Sequence, residues 1–269
     1  MHKIGTTTYS VEIIEENFKK LSESHIDAVE VAIPFEKLEY LDYKKAYELS
    51  KKYNVELWSC HLPFHTTEVL DIASLSEDIR KKSVELVREH VKRATDIGIK
   101  NLVIHPSSEP VSVDEEKRRN QLENSMKSLD ELAETAGEGG GVIAVENLPR
   151  TCLGRDSSEI LKILSANHKL RVCFDTNHLL YQDAVSFIEE VGSKIVTLHV
   201  SDYDFADERH WLPGDGGVDW SKIVSALTKV GYNGVWMYEV ALKSAGNTKR
   251  TTDIAFEELY DNAKKILPL

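Results

Sequence analysis

"RVCFDTNHLL" (171–180) is the stretch on which the fold turns. Val172, Cys173 and Phe174 read as a buried strand, which delivers Asp175 at its end with His178 three residues on. One such run decides nothing, but the pattern recurs. Short β-branched or aromatic runs also stand at "KIGTT" (3–7), "AVEVAI" (28–33), "VELWSCH" (55–61), "NLVIH" (101–105), "VIAVE" (142–146), "IVTLH" (195–199) and "GVWMYE" (234–239). Helical spacing fills the gaps: Leu75, Ile79, Val84, Val87, Val91 and Ala94 form one apolar stripe, and Leu122, Met126, Leu129 and Ala133 another. "GEGGG" (137–141) ends the second helix through a left-handed glycine, and Asp219 caps a later one. Eight strands alternating with helices predict a single (β/α)8 TIM barrel over residues 1–269, with no linker that would split it. An open doubly wound sheet is the rival. No GxGxxG follows the first strand, so the usual dinucleotide signal is missing and no organic cofactor is expected.

The polar residues closing successive strands are His61, His105, Glu146, Asp175, His199 and Glu239. A closed barrel gathers such ends on one rim, where active sites sit. Alternation puts Ala144, Cys173, Thr197 and Met237 inside with them, and Val145, Phe174, Leu198 and Tyr238 against the helices. A lone histidine or carboxylate at a strand end is ordinarily just a hydrogen-bonded polar group. Clustered carboxylates repel each other, and a divalent cation resolves that conflict. Two Glu, one Asp and one His suit one Mn, Mg or Co ion, with Zn also compatible.

The formal net charge of −12 over 269 residues disfavours nucleic acid as a partner and fits a small-molecule substrate. Three cysteines, Cys60, Cys152 and Cys173, imply no disulfide framework, so a reducing cytoplasm is expected. The opening "MHKIGTTTYS" lacks a signal-peptide pattern, and no run approaches the ~18 apolar residues of a membrane span.

With "VIHPSS" (103–108), "IAVENLP" (143–149), "CFDTNHLL" (173–180), "LHVSDYD" (198–204), "RHWLPGDGGVDW" (209–220) and "YEV" (238–240), nearly the whole chain resembles the xylose isomerase-like TIM barrels, in particular the sugar phosphate isomerase/epimerase type. The resemblance to ketose 3-epimerases implies that Glu146, Asp175, His199 and Glu239 bind one catalytic metal, and that Glu146 and Glu239 also accept and donate the proton. It implies substrate contacts at His178 and Arg209, with His61 and His105 lining the same pocket and "PGDGG" beside the metal. The expected chemistry is isomerisation or epimerisation of a sugar or polyol by proton abstraction next to a carbonyl, through a metal-stabilised enediolate. An inosose dehydratase-like lyase would share the first step. The chain also resembles endonuclease IV, a three-zinc enzyme that cuts DNA at abasic sites; its ligand positions match His61, His105, Glu146, Asp175, His178, His199, His210 and Glu239, with Glu208 in place of an aspartate. Barrels of this type often pair, so a homo-oligomer is compatible with the resemblance.

Several residues carry two readings. Arg209 is a substrate contact or a surface ion pair, and Glu30 a pocket residue or a paired charge inside the barrel. Trp58, Phe64 and Trp211 are candidates to cap a sugar, whereas Trp220 is expected behind the loop. His199 needs an acceptor to fix its tautomer, for which Asp202 and Asp204 are near in sequence.

Overall fold

Strand and helix alternate along the whole chain, and a computed structural model describes residues 2–32 and 34–267. The strands are β1 (Ile4–Thr7), β2 (Ala28–Val31), β3 (Glu56–His61), β4 (Asn101–Ile104), β5 (Val142–Glu146), β6 (Arg171–Asp175), β7 (Ile195–His199) and β8 (Trp236–Tyr238). The helices that follow them are α1 (Glu15–Glu23), α2 (Tyr43–Tyr53), α3 (Glu77–Asp96), α4 (Glu115–Glu138), α5 (Ser157–Leu164), α6 (Ala184–Val191), α7 (Trp220–Lys229) and α8 (Phe256–Ile266). All neighbouring strands run parallel, in the order β7-β6-β5-β4-β3-β2-β1-β8. Past the end of β7, Val200 bridges Tyr238 of β8, which brings the two ends of the sheet together into a (β/α)8 barrel. Ile33, the last residue of the predicted second strand, lies outside the described residues, as do Met1, Pro268 and Leu269.

Strand alternation sets two cores. Val145, Phe174, Leu198 and Tyr238 join the large layer between barrel and helices. Ala144 and Cys173 pack with Val103 inside the barrel, and Met237 with Ala28 and Val235. Helix ends follow the capping chemistry: Asp219 accepts from the backbone of Lys222, and Gly140 takes a left-handed φ of 75° just beyond α4. The stripe on α3 starts later than predicted. Leu75 precedes Ser76, the N-cap of the helix, and is exposed.

The two rims differ. Short turns such as 24–27 and 97–100 join helices to strands, whereas the segments leaving β4, β5, β7 and β8 are long. Those long segments surround the C-terminal strand ends, the rim that a barrel uses for chemistry. No helix among the described residues is long and apolar enough to cross a membrane.

Candidate metal centre

Glu146, Asp175 and His199 are the last residues of β5, β6 and β7, and Glu239 follows β8. Each offers a donor atom within 4.8 Å of all the others. His199 Nδ1 lies 3.1 Å from Glu146 Oε1, 3.4 Å from Glu239 Oε2 and 3.8 Å from Asp175 Oδ2. Glu146, Asp175 and His199 are essentially inaccessible to solvent. Glu146 Oε2, Asp175 Oδ2 and Glu239 Oε2 are buried without a hydrogen-bond donor. Orphaned carboxylate oxygens are costly in a protein interior. Three of them converging with an imidazole nitrogen make a donor set that a divalent cation fits.

Two more groups adjoin this quartet. His61 and His105, from the ends of β3 and β4, each bring Nε2 to 3.3 Å from Glu146 Oε2. His178 Nε2 lies 3.2 Å from Glu208 Oε2, and His210 completes that cluster. Backbone carbonyls fix the tautomers. The Nδ1–H groups of His61, His178 and His210 donate to the carbonyls of Leu62, Asn147 and Glu239 at 3.0, 2.9 and 3.1 Å. With its hydrogen on Nδ1, a neutral imidazole turns a lone pair on Nε2 toward whatever it faces. For His61 and His178 that is a carboxylate, so a proton or a cation must lie between. His199 is reversed: Nε2–H donates to Glu30 Oε1 at 2.9 Å, leaving Nδ1 for the quartet.

The electrostatics describe a site short of positive charge. Burial disfavours the charged form of His199, but Cys173, Glu239, Glu30 and Glu146 around it push its pKa well above the usual imidazole range. His178 is raised in the same way by Asp175, Glu146 and Glu208 against the effect of burial. Burial lowers His105. Burial would raise Glu146, yet the imidazoles led by His199 and His105 hold it well below the carboxylate range. Asp175 is pushed well above its ordinary value by burial, with Glu239 and Glu146 adding. Protons therefore stand where a cation would. Metal uptake is expected to release protons, because raised imidazoles hold them at neutral pH and an ion must displace them. Affinity should rise with pH across the neutral range. Titration calorimetry in buffers of different ionisation enthalpy measures the release, and buffer-independent heats would contradict it.

Glu146 and Glu239, with the two histidine groups, floor a cavity of about 610 Å³ whose wall includes Phe64, Arg150 and Arg209; Asp175 and His199 lie behind them. Arg209 Nε pairs with Asp204 Oδ2 at 2.9 Å. Arg150, which the sequence did not single out, binds Glu109, Asp207 and Glu208 at 2.7, 2.8 and 3.0 Å. Asn147 and Asn177 were also missed. Asn147 exchanges two hydrogen bonds with the Asp175 backbone at 2.9 and 2.8 Å, and Asn177 Oδ1 accepts from Arg209 N at 2.8 Å. Both hold the segments that carry the candidate ligands in place.

Some expectations are corrected. The acceptor for His199 is Glu30, not Asp202 or Asp204. Asp202 instead anchors the "PGDGG" segment through Gly214, and Asp204 takes Arg209. Trp58 donates to Thr197 inside the barrel and Trp211 to Thr248, and neither lines the cavity where a substrate would be capped. Trp220 packs edge-on against Trp236 and donates to Asp202, behind the loop as expected.

The uncharacterized protein MJ1311 of Methanocaldococcus jannaschii is 27% identical over 97% of this chain and 92% of its own length. A probable endonuclease 4 of Thermoplasma acidophilum is 26% identical over 63% of this chain and 62% of that protein. Among solved structures, a D-tagatose 3-epimerase-like protein is similar with a TM-score of 0.81 and 25% identity, covering 98% of this chain and 96% of that one. A family model described as "Xylose isomerase-like TIM barrel" matches residues 18–260. The chain belongs to the xylose isomerase-like TIM barrel family.

Proposed function

We propose that this protein is a divalent-metal-dependent isomerase or epimerase of a small uncharged sugar or polyol, working by proton transfer at a carbon next to a carbonyl. The observation that carries the proposal is the meeting of Glu146 and Glu239 with Asp175 and His199 at the floor of a cavity of small-molecule size. A bound ion would polarise the carbonyl and offset the negative charge that develops on it. Glu146, held ionised by its imidazoles, is the proton acceptor. Glu239, three strands further round the barrel, is placed to return a proton. His61, His105, His178 and Arg209 contact the substrate hydroxyls. An inosose dehydratase-like lyase would use the same first step and then lose hydroxide.

The cavity wall supports an uncharged substrate. Both arginines in it are committed to carboxylates, and Glu36, Glu109, Glu208 and Glu239 also line it. A polyanion would meet acidic groups without free cations to neutralise it.

A second reading, an endonuclease IV-like nuclease with three zinc ions, has its own observation: the His61/His105/Glu146 and His178/Glu208/His210 groups beside the quartet. Arg150 counts against it, since its guanidinium holds Glu208 Oε1 at 3.0 Å and competes with a cation for that carboxylate. Metal analysis combined with two assays separates the readings. One tightly held ion, with deuterium entering a ketose or inosose from heavy water and lost after chelation, is the expected result. Three zinc ions with cleavage of abasic-site DNA, and no carbon-bound exchange in any ketose or inosose, would replace the first reading by the second.

A further inference from the structure

We propose that Glu30 is the positioning residue that aims His199 at the metal, an inference that rests on the reading of His199 as a ligand. Glu30 sits in the middle of β2 and is fully buried. It shares the inward face of that strand with Ala28, two residues before it, which packs against Met237 and Val235. Packing alone would favour an apolar side chain at such a position, because burying a carboxylate is costly. Both oxygens are nevertheless used. Oε1 accepts from His199 Nε2 at 2.9 Å, and Oε2 accepts from Ser59 Oγ at 2.7 Å.

The backbone is adjusted to the same end. The pairing of β2 with β3 shifts register between Val29 and Glu30, so Glu30 lies opposite Ser59 rather than Trp58. Such irregularities re-aim side chains beside functional sites. The consequence falls on His199. A carboxylate accepts, so Nε2 carries the hydrogen and Nδ1 presents its lone pair toward Glu146, Asp175 and Glu239. The negative charge of Glu30 also strengthens the imidazole as a donor to a cation. Ser59 fixes the Glu30 rotamer, so the chain Ser59–Glu30–His199 runs across the barrel interior from β3 to β7.

The test uses cobalt(II), whose visible absorption reports ligation, with the full-length wild type, Glu30→Gln, Ser59→Ala and Asp175→Asn. Glu30→Gln keeps the shape and removes the charge. It is expected to weaken cobalt binding by about 10- to 100-fold and to alter the ¹⁵N shifts of His199 in the zinc-loaded protein. A merely structural role would leave those shifts unchanged. Ser59→Ala should weaken binding several-fold. If Glu30→Gln binds cobalt as tightly as wild type while Asp175→Asn does not, the role of Glu30 is overturned and the metal centre stands. If Asp175→Asn also binds like wild type, the quartet is not the metal site and both readings fall. Should Glu30→Gln not fold, judged by circular dichroism, Ser59→Ala decides alone: a several-fold loss supports the inference, and unchanged binding overturns it.

Discussion

Replacement of Glu146 by glutamine is expected to remove carbon-bound hydrogen exchange, with a loss of about 10²- to 10⁴-fold for a positioned general base. The substitution preserves volume in a fully enclosed place, so the barrel should remain folded. What changes is charge. His61, His105, His178 and His199 all lie within 3.4 Å of a Glu146 oxygen. In the metal-free protein that ring of imidazoles holds the carboxyl well below its ordinary range, so it is ionised throughout the physiological range. A glutamine amide cannot take a proton there at any pH. Ligation weakens as well, so exchange must be read at saturating metal, by proton NMR of a ketose in heavy water. Unchanged exchange under those conditions would remove Glu146 from the proton-transfer step.

How much of this the sequence carried depends on how far apart the partners lie. β5, β6 and β7 run over the same residues as the runs read from the sequence, because each is dominated by apolar residues and closed by a polar one. β8 is shorter than its run, starting at Trp236, whose amide pairs with Lys3. The stripe on α4 misled in part. Its buried face includes Gln121, Ser125 and Ser128 beside Leu129 and Ala133, because the two serines hydrogen-bond the carbonyls of Pro106 and Ile72. Hydrophobic periodicity cannot register a polar residue that is buried for its hydrogen bond. The strand-end set was legible because a closed barrel brings strand ends together whatever their separation in the chain. Glu30 was legible as a paired charge inside the barrel, but its partner His199 was not, since it lies 169 residues away and nothing local marks the pairing. Arg150 was missed for the same reason: its partners come from two other loops, 41 to 58 residues distant.

The long segment between β7 and α7 shows what such a pairing holds up. Asp202, fully buried, accepts four hydrogen bonds: Oδ2 from Gly214 N at 2.7 Å and Trp220 Nε1 at 3.0 Å, Oδ1 from Tyr203 N at 2.9 Å and Val218 N at 3.1 Å. The fit leaves no slack. A Cβ on Gly216 would stand 2.3 Å from Asp202 Oδ1 and 2.4 Å from the Tyr203 carbonyl. Asp202 also exchanges backbone hydrogen bonds with Trp211 at 2.8 and 3.0 Å, which closes the loop bearing Glu208, Arg209 and His210. Replacing Asp202 by alanine would strand several buried donors, each worth about 1–3 kcal/mol when left unsatisfied. Because the donors can in part find water, the expected destabilisation is about 3–5 kcal/mol rather than their sum, read as a lower urea midpoint. Asp202→Asn, which keeps one acceptor, should lose less. The quartet hangs from the ends of β5 to β8 and not from this loop, so cobalt binding there should survive in whatever fraction remains folded. Cavity contacts made by Arg209 and His210 should fail. An unchanged midpoint would mean that the loop is held by its backbone pairing with Trp211 alone, and that the buried carboxylate is dispensable to it.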